Sequence, residues 1–288
     1  MKRHGSAEIS VLMPCYQPNP AWLRAAIQSL NAQSFRDWQL IMSLDGDDQA
    51  TLSSAQIARD ALNAEHKLIV VQGQRRGITD TLNSGLAACN TRYTARFDAD
   101  DLCRPNRLQE QWQLLEDNHE LVGCGMQINA IDTEGNRLKS RHHHYPTNPT
   151  ETLLVGACIN TPIAHPVLMF RTEAVRMLSG YRQQRCMEDY DLMARLSRVG
   201  GLTNLPGVGL DYRIHFSQHS RKARPMRKEL LEARWLFMQA LGRKTPVAWL
   251  LASAPLILYA LGPQGELRLR RYANQLWNTA LDKSRENT

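Results

Sequence analysis

The chain has 288 residues, 43% hydrophobic and 22% charged, which excludes general disorder and leaves room for one large domain with an appendage. Its net charge of +7 is confined to the end: residues 1–220 hold 22 Lys+Arg against 23 Asp+Glu, and residues 221–288 hold 13 against 5. The six cysteines have no zinc-like spacing, which argues against a disulfide framework and fits a reducing cytosol, and no apolar signal-peptide run follows the charged N-terminus.

Ile9 to Pro14 is a short apolar run that reads as a strand, and the following segment, Pro20 to Ser34, places Leu23, Ala26, Ile27 and Leu30 on one helical face. Trp38 to Asp45 reads as a second strand, Thr51 to His66 as a helix, Lys67 to Val71 as a third strand and Gly77 to Asn90 as a helix. Arg92 to Phe97 is the fourth strand. A helix follows from Arg104 to Asn118, with Pro105 near its first turn, then a strand from Glu120 to Asp132. Residues 137–150, with three histidines at 142–144, read as a solvated loop. His165 to Arg171 is a further strand, Thr172 to Gly180 a helix ended by glycine, and Met187 to Gly200 another. Strands alternating with helices predict a mostly parallel sheet covered on both faces, with ligands held beyond the carboxyl ends of the strands.

Three polar clusters fall at those ends: "PCYQP" after the first strand, "DGDD" after the second and "DADD" after the fourth. Asp98 and Asp100, two apart, can both address one hard divalent cation, which prefers oxygen ligands; a solvated acidic turn or a helix cap is the alternative. Asp45 closes its strand before Gly46, where a carboxylate can accept from a base or ribose, while Asp47 and Asp48 are suited to capping the next helix. Glu188 and Asp189 open a helix whose Leu192, Leu196 and Val199 anchor it to the core; their position also suits the helix dipole without any chemistry.

The succession "SVLMPCYQP", "LDGDD", "GITDTLNSGL", "YTARFDADDLCRPNRLQEQ" and "MEDYDLMARL" resembles family 2 of the inverting glycosyltransferases, over about residues 8–216 and in the right order. The resemblance implies the GT-A fold: an α/β, Rossmann-like, mostly parallel central sheet flanked by helices. It places Pro14, Tyr16 and Asp45 at the nucleotide wall, with Arg75 facing the nucleotide or its phosphates, and Asp98 and Asp100 at the diphosphate and a Mg2+ or Mn2+ ion. Asp189 becomes the base that takes the acceptor proton. His165 and His215 occupy places where relatives carry histidines near the donor, with His215 the better metal ligand. Gln17 stands where the family often has Asn, and "LDGDD" keeps only the second aspartate of the family's Asp-Asp-Gly turn.

The expected organisation is a transferase domain over residues 1–220 and a basic, partly apolar helical extension over 221–288. Within that extension Val247 to Leu261 is apolar but short of the ~20 residues a membrane-spanning helix needs. Its flanking arginines suit the surface of an anionic membrane, or else helices packed on the domain with solvated charges. The expected partners are a nucleotide-sugar, first a UDP-sugar, and a saccharide or polyprenyl-diphosphate-linked acceptor used in surface polysaccharide assembly. The expected location is cytoplasmic, peripheral on the inner face of the cell membrane, without nucleic acid. A nucleotidyltransferase acting on sugar phosphates and a non-catalytic peripheral membrane protein are the rival readings. A phosphatase of the haloacid dehalogenase type fits poorly, because its Asp-x-Asp follows the first strand.

Overall fold

The computed structural model describes residues 7–138, 144–184, 187–216 and 227–242. Its first half is a succession of β1 (Ile9–Cys15), α1 (Pro20–Asn31), β2 (Trp38–Asp45), α2 (Gln49–Ala61), β3 (Leu68–Gly73), α3 (Ile78–Ala88) and β4 (Tyr93–Arg96). The second half contains β5 (Leu102–Cys103), α4 (Arg107–Asp117), β6 (Leu121–Ile131), α5 (Pro149–Cys158), β7 (Met169–Arg171), α6 (Thr172–Met177), α7 (Glu188–Leu196), β8 (Gly201–Arg213) and α8 (Arg227–Ala240).

These strands form one sheet in the order β3-β2-β1-β4-β7-β6-β8-β5. β1, β2, β3 and β4 pair in parallel, so their carboxyl ends share one edge. Beyond β4 the sheet is mixed: β7 runs antiparallel to β4 and β6, β8 parallel to β6, and β5 antiparallel to β8.

The side-chain alternation of β1 explains why its whole run is buried. Ile9, Val11 and Met13 enter a core shared with α1, α2 and α4, while Leu12 points to the opposite core, shared with α3, α6, α7 and α8. Gly85 sets the depth at which α3 lies on the sheet, because a Cβ there would collide with Leu12 and press on Ser43. Pro14 sits in a central strand without loss. Leu12 accepts from the Phe97 amide, so Pro14, two residues on, turns its missing N–H toward the side where pairing with β4 has already ended.

The residues expected to form one strand, His165 to Arg171, divide into a 3-10 turn at His165–Val167 and the short β7. The basic extension begins with α8, which packs against α5 and α7 and buries Ala233, Phe237 and Met238. The apolar segment Val247 to Leu261, its flanking arginines, and His142 and His143 lie outside the described residues. Among the described residues no helix is long and apolar enough to cross a membrane.

Candidate active site

The parallel half of the sheet delivers three loops to one edge. After β1, Tyr16 is exposed and Gln17 adopts φ +41°, a left-handed conformation secured by its amide donating to Thr51 Oγ1 at 3.1 Å. After β2, Asp48 caps α2, its carboxylate accepting from the Thr51 amide and hydroxyl at 3.1 and 2.8 Å. Asp45 accepts from the Arg76 and Gly77 amides at 3.1 and 3.2 Å, so it also fixes the loop that leads into α3. The Arg75 guanidinium lies over the Tyr16 ring, 5.2 Å from its centroid. Between these loops is an open cavity of about 420 Å³ lined by Gly46, Asp47, Gln72, Gly73, Gln74 and Arg75.

The fourth strand ends in the acidic loop. One ligating atom each from Asp98, Asp100 and Asp101 lie within 4.8 Å of one another. Asp98 is half-buried and accepts from Arg96 Nη2 at 2.6 Å. Burial raises its carboxyl above the usual range, the Arg96 charge pulls it back, and Asp100 pushes it up again. Asp101 is fully buried and raised well above the usual range by burial and by both neighbouring aspartates. Its Oδ1 accepts from the Arg213 amide at 2.8 Å, while Oδ2 has no hydrogen-bond partner. His215 comes to the same place from beyond β8, its Nε2 2.7 Å from Asp100 Oδ2 and its ring 4.9 Å from that of Trp22. Three crowded carboxylates, one buried oxygen without a partner and an imidazole beside them make a donor set that suits a hard divalent cation.

Asp189 stands half-buried in the first turn of α7 beside Glu188. Burial and then the Glu188 charge push its carboxyl up to about 7, opposed by the Tyr190 amide at 2.7 Å and by Arg96. α7 is fixed from two sides. Arg195 donates to Asp191 at 2.7 Å and to the Leu178 and Gly180 carbonyls at 3.0 and 2.9 Å. The next residue, Tyr181, is clasped by Asn83 of α3 through two bonds of 2.8 Å. On the other side, the Tyr190 hydroxyl donates to the Gly156 carbonyl of α5.

The geometry thus brings Asp98, Asp100 and His215 together and sets Tyr16, Arg75 and Asp45 along one wall of adjoining loops. His165 does not join the acidic group: its Nε2 faces the Tyr181 hydroxyl at 3.0 Å, and burial, then the Arg96 charge, hold it well below the usual histidine range, as a neutral, half-buried side chain. Two site residues escape sequence reasoning. Asp101 is visible only as the last letter of "DADD", and Arg96 only as a cation inside an apolar strand. Arg96 is 3% exposed, keeps Nε and Nη1 without partners, and acts electrostatically on Asp98, Asp101 and Asp189 alike.

Residues 10–178 match the family described as Glycosyl transferase family 2. The amylovoran biosynthesis glycosyltransferase AmsE of Erwinia amylovora is 29% identical over 201 residues, which is 69% of this chain and 73% of that protein. The putative glycosyltransferase EpsE of Bacillus subtilis is 32% identical over 199 residues, 67% of this chain and 68% of its own. The O-antigen biosynthesis glycosyltransferase WbnJ of Escherichia coli is 28% identical over 220 residues, 75% of this chain and 83% of its own. Among solved structures, S. aureus TarS residues 1–349 with UDP-GlcNAc superposes at a TM-score of 0.63 and 14% identity, covering 81% of this chain and 66% of that one. The mannosyltransferase PcManGT of Pyrobaculum calidifontis, with GDP-Man and Mn2+, does so at 0.58 and 14%, covering 94% and 81%. A GT-A sheet with its acidic loop at the end of β4, matched by sequence over more than half its length, makes this chain a member of glycosyl transferase family 2, of the bacterial polysaccharide type.

Proposed function

We propose that the chain is a metal-dependent, inverting glycosyltransferase that moves a sugar from a nucleotide-sugar, in the first instance a UDP-sugar, to a saccharide or lipid-linked saccharide acceptor. The observation that carries this reading is the placing of the acidic loop and Asp189 about one buried cation, Arg96, which interacts with Asp98 and Asp189 alike. Neighbours of the same fold solved with UDP-GlcNAc, and with GDP-Man and Mn2+, support it.

In this reading Tyr16 and Pro14 form the wall for the base, Asp45 holds the ribose side and Arg75 faces the phosphates. Asp98, Asp100 and His215 would hold Mg2+ or Mn2+. The ion, when bound, supplies positive charge against the departing nucleoside diphosphate. Asp189 accepts the proton of the acceptor hydroxyl as that oxygen attacks the anomeric carbon from the face opposite the leaving group, so one displacement inverts the configuration. Arg96 keeps Asp98 oriented through its 2.6 Å bond and tempers the negative charge gathered round the donor. The charge excess in residues 221–288 supports a peripheral site on an anionic membrane, where a lipid-diphosphate-linked acceptor resides.

A screen of nucleotide-sugars for Mn2+-dependent release of nucleoside diphosphate identifies the donor. With that donor, Asp189→Asn abolishes transfer and leaves nucleotide affinity nearly intact, whereas Asp100→Asn weakens nucleotide binding in Mn2+. Turnover at the wild-type rate in the first variant, or unchanged affinity in the second, refutes the corresponding role. Pyrophosphate as the product would replace this reading with that of a nucleotidyltransferase.

A further inference from the structure

The residue after Asp189, Tyr190, is 2% exposed, and it fixes the first turn of α7 from below. Its hydroxyl is taken by the Gly156 carbonyl of α5, and its ring lies against Phe237 of α8, with centroids 5.5 Å apart and planes tilted by 34°. Phe237 has no exposed surface. Its ring edge fills the space above Gly156, where a Cβ would come within 2.8 Å of three ring carbons. Gly156 therefore does two things at once: its carbonyl holds Tyr190, and its missing side chain admits Phe237. Three helices distant in sequence meet at this point, one residue from Asp189. Neither α5 nor α8 carries a residue of the nucleotide wall or the acidic loop.

We infer that Phe237 and Gly156 are positioning residues for the acceptor step: together they form the seat on which Tyr190 rests and so set the place from which Asp189 reaches the acceptor hydroxyl. The inference rests on the reading of Asp189 as the base. It makes α8 a working part of the transferase, although α8 belongs to the basic extension by composition. General-base transfer tolerates little displacement, since proton transfer needs the two oxygens within hydrogen-bond reach. Emptying the seat lets the first turn of α7 shift while the nucleotide loops, which belong to other elements, stay in place.

The test uses the full chain and three readouts: turnover of the screened donor, calorimetric binding of UDP or GDP with Mn2+, whichever the wild type binds, and amide hydrogen exchange across residues 188–196. In Phe237→Ala, turnover falls about 10- to 100-fold and exchange across 188–196 quickens, while nucleotide affinity and exchange in β1 and β2 stay within about twofold. Gly156→Ala gives the same pattern by pushing the ring out. Combining it with Phe237→Leu restores turnover above that of Gly156→Ala alone, because the added methyl fills the space that the smaller side chain vacates. Losses shared equally between nucleotide affinity and turnover, with a lowered melting temperature and no recovery in the double variant, would show that α8 merely stabilises the fold and overturn the inference. Wild-type turnover in Phe237→Ala beside an inactive Asp189→Asn overturns it too, and leaves the base assignment standing. An active Asp189→Asn removes the base assignment and the inference with it.

Discussion

Gln17 holds φ at +41°, a region that costs an L-residue with a Cβ about 1–2 kcal/mol and that Asn enters more readily. The family often has Asn here, and the backbone gives the reason. Gln17→Asn is therefore expected to stabilise the protein by about 0.5–1 kcal/mol, read as a rise in melting temperature with the donor site unchanged. Asp189 makes the opposite bargain between stability and use. Its carboxyl is raised to about 7, so below that pH it is protonated and too weak a base to take the acceptor proton. Turnover should rise with pH through about 7, and a profile flat from pH 5 to 8 would remove Asp189 from the step. A folded-state pKa above the unfolded one means that its favourable contribution to stability is present below about pH 4 and lost as pH rises through about 7. Asp189→Asn should accordingly melt higher than wild type at pH 8 while transferring no sugar. What the sequence conveys at this scale is residue type and spacing: Asp98 and Asp100 were legible as a pair. That His215, 115 positions on, would face Asp100 follows only from the crossing of β8 over the acidic loop, and without the family resemblance it is not readable.

The elements of the first half were legible because their apolar period and their caps agree. β2 runs from Trp38 to Asp45 as read, and Asp48 caps α2 as its chemistry suggests. β8 went unread because its sequence carries Pro206 and several glycines, which signal turns. The strand absorbs them in a bulge: Leu205 pairs with Met126 and Val208 with Gln127, leaving Pro206 and Gly207 outside the ladder. α5 was hidden for a related reason. Its run mixes threonines and Gly156, poor helix formers whose cost is offset by Asn148, which accepts from the Thr150 and Glu151 amides at 2.9 and 3.3 Å, and by Pro149 at the first position, where proline suits a helix. Close packing of elements yields its own test. Gly85→Ala drives a methyl into Leu12 and Ser43 and should destabilise by about 1–3 kcal/mol, measured by urea unfolding with an unchanged m-value. A neutral result would mean that α3 can lift off the sheet freely.

At the scale of the molecule, charge and fold divide differently. By composition the basic extension starts near residue 221, yet one face of its first helix packs into the core beside α7. Deleting residues 243–288 keeps α8 and removes 7 of the chain's Lys and Arg. The shortened chain should fold and turn over donor normally but sediment less with anionic liposomes, more so at low salt. Equal sedimentation with and without the tail would assign the membrane role elsewhere or to nothing. The sheet has a temporal side as well. Arg213, the last residue of β8, secures the acidic loop from 112 positions downstream, bonding the Asp101 carboxylate through its amide and the Asp100 carbonyl through Nε at 2.8 Å each. On a growing polypeptide β1 to β4 can therefore pair long before the acidic loop is tied down, and a chain cut short in between carries the carboxylates with no strut behind them.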